Sequence, residues 1–136
     1  MSKFALERMD EIRGDQRFDK LVVDGVAQFD EFEKDVIGQY GAEFRSLLLI
    51  MNQVSEGYSL PKTKFHPYNK GEKGVREYEF KTRNLRAYAI EQPGGKIVVY
   101  GGTKARQRKD QNIFRKLKNE YLESINHDKR RIAKKS

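Results

Sequence analysis

The sequence predicts an α+β domain: a helical hairpin, then an antiparallel β-meander and a C-terminal helix, with the helices packed on one sheet face. Three observations carry this. Apolar residues recur at three- and four-residue steps between Phe29 and Met51, then alternate at period two from Arg76, and return to helical spacing from Ile113 to Ile125. Short Gly/Pro-containing connections separate the strand segments and force them antiparallel. A chain of 136 residues, 37% hydrophobic and 35% charged, supports one compact domain with a modest core. The domain is expected over residues 1–126, with a basic, disordered tail over 127–136.

Taken in order, Phe4–Met9 reads as a short strand or a helical turn, and Arg13–Gln16 as a turn. Lys20-Leu21-Val22-Val23 is β-branched and closed by Asp24-Gly25, the pattern of a strand. Phe29, Phe32, Val36 and Ile37 then mark a helix ending near Gly38 or Gly41, with Asp30, Glu31, Glu33 and Asp35 on its acidic face. Phe44, Leu47, Leu48 and Met51 mark a second helix that fades at Glu56-Gly57, so Gln39-Tyr40-Gly41 joins a hairpin. Residues 58–74 read as a basic loop. Three strands follow: Arg76–Lys81, Leu85–Ile90 and Lys96–Tyr100, the last two joined by the turn Gln92-Pro93-Gly94-Gly95. Gly101-Gly102 is expected to end the sheet. Asp110 reads as the N-cap of a helix whose stripe is Ile113, Phe114, Leu117, Tyr121 and Ile125.

The net charge of +8 is segregated. Residues 1–61 hold 7 Lys/Arg against 12 Asp/Glu, whereas residues 62–136 hold 21 against 8. Opposite signs in the two halves point to a positive face offered to a polyanion, nucleic acid above all. With no cysteine, disulfides, thiolate metal sites and cysteine nucleophiles are excluded. Only His66 and His127 are present, far apart in sequence, so a two-histidine ribonuclease and a nitrogen-ligated metal site are disfavoured. His66 reads better as a solvated loop residue than as a catalyst. Glu77/Glu79 and Glu31/Glu33 lack a partner for acid–base work. No apolar run is long enough to cross a bilayer, and the first residues do not resemble a signal peptide, so a cytoplasmic location is expected.

What remains is a concentration of cations around the meander: Lys81, Arg83, Arg86, Lys104, Arg106, Arg108 and Lys109. Arg86 shares a strand face with Tyr88 and Ile90, so it projects from the middle of the sheet. There it either pairs with a carboxylate such as Glu77 or Glu79 or faces a groove.

The helical hairpin, then Glu79-Phe80-Lys81, Asn84-Leu85-Arg86-Ala87-Tyr88, Gly102-Thr103-Lys104 and a terminal helix together resemble the RelE/HigB branch of the RelE/ParE toxin superfamily. The resemblance covers residues 20–125, most closely 74–121. It implies a toxin restrained by a cognate antitoxin, cutting messenger RNA on the ribosome without a metal or other cofactor. By position it places Arg86 as the cation on the scissile phosphate, Lys81 as the basic residue ending the preceding strand, and Lys104 or Arg106 at the leaving group. Arg76, Arg83, Tyr88, Arg108 and Lys109 complete the expected RNA-binding set. The catalytic logic is that RNA carries its own nucleophile, the 2′-OH, and fixed cations stabilise the charge that develops. Glu77 and Glu79 stand where RelE carries lysines. Two other activities fit the same scaffold: a non-enzymatic ParE-like poison of DNA gyrase, and a catalytically inactive nucleic-acid-binding member.

Overall fold

A computed structural model of the chain describes residues 3–70 and 74–135. Seven strands and two long helices make an α+β fold: β1 Phe4–Arg8, β2 Arg17–Val23, β3 Val26–Ala27, α1 Gln28–Ser55, β4 Phe65–Lys70, β5 Arg76–Lys81, β6 Leu85–Gln92, β7 Gly95–Thr103, a 3₁₀ turn over Lys104–Arg106, and α2 Gln107–Lys135. The sheet runs β1-β2-β7-β6-β5-β4, with β3 paired to β2 beyond β7. Every pairing is antiparallel except that of β2 with β7, which is parallel from Arg17↔Gly95 to Lys20↔Val98. The N-terminal segment is therefore an added edge strand. Asp24 (φ 49°) and Gly25 (φ 82°) make the tight turn that returns β2 into β3.

Within α1 one residue, Tyr40 (φ −122°, ψ 34°), leaves helical geometry, and there the helix bends sharply into two arms. The Phe29 and Phe44 rings lie 5.3 Å apart and those of Phe32 and Phe44 5.7 Å apart. On a straight helix the first pair would be separated by about 22 Å. The two helical arms of the sequence reading are thus present, folded together over a shared phenylalanine cluster.

The helices do not share a sheet face, contrary to the expectation. Phe29, Phe32, Phe44, Leu47 and Met51 of α1 pack with Phe18, Phe80, Leu85, Ala87, Ala89 and Val98. Phe114 and Tyr121 of α2 pack on the opposite side with Leu21, Tyr88, Ile90, Ile97 and Val99. The reason lies in β6, which is buried without a break from Leu85 to Ile90. A strand apolar on both sides needs cover on both.

Four further expectations are corrected. Part of the basic loop is β4, an outer strand paired with β5; residues 71–73 lie outside the described residues. Gly101 and Gly102 do not end the sheet, because β7 runs to Thr103. Their lack of a side chain serves packing instead: a Cβ would meet the Phe32 ring at 2.5 Å and Asp110 Oδ2 at 1.9 Å, respectively. Asp110 sits inside the first turn of α2 rather than capping it. Finally, α2 continues to Lys135, through the stretch expected as a tail; Ser136 lies outside the described residues.

Candidate nucleic-acid interface

The β5–β6 turn and the end of β7 meet at one end of the sheet, beside the second arm of α1. Glu43 on that arm clamps the turn, accepting hydrogen bonds from Thr82 Oγ1 (2.8 Å), Asn84 N (2.8 Å) and Asn84 Nδ2 (3.0 Å). Partial burial opposes its charge, but these bonds and the Arg83 guanidinium prevail and hold the carboxyl below its ordinary range. Asn84 O in turn accepts from Lys104 N (2.7 Å), and Lys64 O from Lys81 N (2.8 Å). These bonds fix the backbone of three cationic residues from separate elements.

Between them lies an open cleft of about 660 Å³, lined by Lys64, Lys81, Arg83, Arg86 and Lys104, with Thr82 and the apolar Leu49 and Ile50. Among the described residues, Lys64, Lys81 and Lys104 make no ion pair. Unneutralised cations gathered on a fixed frame are suited to bind phosphate oxygens.

Arg86 differs from its neighbours. Its side chain is 9% exposed, and Nη1 donates to Thr82 O (2.5 Å) and Leu85 O (2.8 Å). Its Nε faces Glu79 Oε1 at 3.4 Å, without hydrogen-bond geometry. Glu79 has no exposed surface; it accepts from Gln107 Nε2 (2.7 Å) and from the Tyr68 hydroxyl. Glu77 pairs with Lys118 (3.0 Å) and Arg115 (3.3 Å). Both acidic residues of β5 therefore serve as buried counterions.

Of the residues expected from sequence, Lys81, Arg83, Arg86 and Lys104 converge on the cleft. Arg106 does not: with Arg108 and Lys109 it borders a neighbouring hollow of about 440 Å³, and it lies 3.8 Å from Asp110. Arg76 begins β5, at the far end of the strand from Lys81. Tyr88 is buried and stacks on Phe114 (5.4 Å), which removes it from the surface. Burial, then the charges of Glu79 and Asp110, push its hydroxyl well above the ordinary tyrosine range. Lys64 is the cleft residue the sequence reading missed; its signal was the Lys62-Thr63-Lys64 run just ahead of an alternating segment.

Among the described residues no group of three or more His, Asp or Glu side chains is placed to hold a metal ion, and no helix is long and apolar enough to cross a membrane. Compared with protein-family models, curated proteins and solved structures, the chain matches none.

Proposed function

We propose that the protein is a RelE/HigB-like toxin that binds messenger RNA in the cation-lined cleft and cleaves it on the ribosome, in the cytoplasm, without a metal. The observation that carries this reading is the convergence of Lys64, Lys81, Arg83, Arg86 and Lys104 on one cleft, with three of them free of carboxylate partners among the described residues. In the reaction the RNA 2′-OH attacks the adjacent phosphorus, the bond to the 5′-oxygen breaks, and a 2′,3′-cyclic phosphate remains. Lys81 and Arg86 would neutralise the non-bridging oxygens as charge accumulates, Lys104 would give a proton to the departing 5′-oxygen, and water would take the proton of the 2′-OH. The ribosome would supply orientation. A cognate antitoxin would cover the basic surface, including Arg106, Arg108 and Lys109, with acidic segments.

A second reading rests on the Arg86–Glu79 contact. A guanidinium already faced by a buried carboxylate has less charge to offer a phosphate, which favours a member that binds nucleic acid without cutting it. Cell-free translation with primer extension on the messenger separates the two, using wild type beside a Lys81→Ala/Lys104→Ala variant. New 5′ ends that vanish in the variant support the endonuclease. Inhibition without new ends supports binding alone. Unchanged translation overturns the endonuclease and directs the test to DNA gyrase, then to nucleic-acid binding without toxicity.

A further inference from the structure

His66 and Tyr68 alternate along β4, so they share one side of the strand, and Lys64 lies in the turn just ahead of it. Phe65 takes the other side, where it packs on Tyr78 (5.5 Å, 11° between planes) and Phe80 (5.0 Å). The His66 imidazole lies flat on the Tyr68 ring, with centroids 4.3 Å apart and 21° between planes. One face of the imidazole is thus covered by Tyr68, and His66 is two residues along the chain from Lys64, which lines the cleft.

Tyr68 is not free to swing away. Its hydroxyl donates to Glu79, the buried carboxylate that also faces Arg86. The strand is the outermost of its side of the sheet, so the stacked pair stands at an edge and stays partly exposed.

We propose, on the basis of the RNA-binding reading above, that His66 backed by Tyr68 is a stacking platform for a nucleobase of single-stranded RNA whose phosphate lies on Lys64 and Lys81. Residues 64 and 66 are within about 7 Å of each other along the chain, and Lys81 N is bonded to Lys64 O. A flat π-surface beside a phosphate-binding cation matches the two halves of one nucleotide. An aromatic face accepts any base, so the platform adds affinity without reading sequence.

The test is fluorescence anisotropy on the intact chain with two probes of equal length and charge: a single-stranded adenine oligoribonucleotide and an abasic ribose-phosphate oligomer. Wild type is expected to bind the base-bearing probe about tenfold more tightly. His66→Ala should erase that difference while leaving abasic binding and the salt slope unchanged. His66→Phe, which has no charge to offer a phosphate, should restore it. Lys81→Ala should weaken both probes alike and flatten the salt slope. Equal binding of the two probes by wild type overturns the platform, as does a His66→Ala variant that keeps the preference. If Lys81→Ala weakens binding while His66→Ala is silent, the cleft reading stands and the platform fails. If wild type binds neither probe, both fail.

Discussion

Arg86 Nε lies 3.4 Å from Glu79 Oε1 across the β5–β6 pair, and Glu79 is wholly shielded from solvent. In the register Glu79 stands opposite Tyr88 and Lys81 opposite Arg86, so the contact is diagonal. Removing one partner of such a pair strands the other charge, at a cost of roughly 3–5 kcal/mol. Arg86→Ala is therefore expected to lower stability as well as any RNA activity, and Glu79→Gln to lower stability by a smaller amount. Chemical denaturation of the two variants beside wild type checks this. A near-neutral Arg86→Ala would show that the pair contributes little to the fold.

Lys81, Arg83 and Lys104 offer a cleaner separation of binding from folding. Substitution of each by alanine is expected to shift stability by less than about 0.5 kcal/mol. Each should also reduce the salt slope of RNA binding by about one. Titrations at several salt concentrations measure the second effect and thermal melts the first. Loss of folding with an unchanged slope would count against the cleft.

The pH dependence of stability should rise and then fall. Lys96 is buried, its Nζ donating to Gln16 Oε1 (2.6 Å) and lying 4.5 Å from the Tyr78 ring centre. Burial lowers its pKa from 10.5 to about 8, against the charge of Glu91. The unfolded chain therefore binds more protons between these values, and stability increases as pH rises through that window. Tyr68 and Tyr88 act oppositely: burial raises both, so the unfolded chain loses their protons first and stability declines above about pH 10. Denaturation midpoints between pH 7 and 11 should pass through a maximum. Lys96→Met should remove the rising limb, and a limb that survives would reassign it to another group.

Gly102 and Asp110 should behave as a coupled pair. Since a Cβ at residue 102 would sit 1.9 Å from Asp110 Oδ2, Gly102→Ala is expected to destabilise by about 1–3 kcal/mol. Shortening the acid in a Gly102→Ala/Asp110→Ala double variant should recover part of that loss. A double-mutant cycle measures the coupling, and strict additivity would argue against direct contact.

Much of this architecture was legible from spacing. The helical step between Phe29 and Met51 and the alternation from Arg76 placed both arms of α1 and strands β5 to β7. Lys81, Arg83, Arg86 and Lys104 line one cleft, and of the two β5 carboxylates open to Arg86 it is Glu79 that faces it. Pro67 concealed β4: proline argues against a strand except at an edge, and β4 is an edge. The opposed helices were hidden because a strand apolar on both faces gives no direction to its cover. Glycines 101 and 102 read as punctuation in the sequence, whereas they make room for Phe32 and Asp110. Lys64 stays hidden with β4, because it sits in the turn just ahead of that strand.

The parallel pairing of β2 with β7 has a consequence for the order of assembly. Residue 17 meets residue 95, so almost eighty residues separate the two strands that join the N-terminal hairpin to the meander. Such a contact closes a long loop, and its entropy must be met before the pairing stabilises anything. During synthesis the Arg17–Lys20 stretch of β2 has no partner on that side until β7 emerges, and Lys104 follows immediately after. The acidic half of the chain is thus made first and waits, and the cationic cleft comes into being only with the last strand.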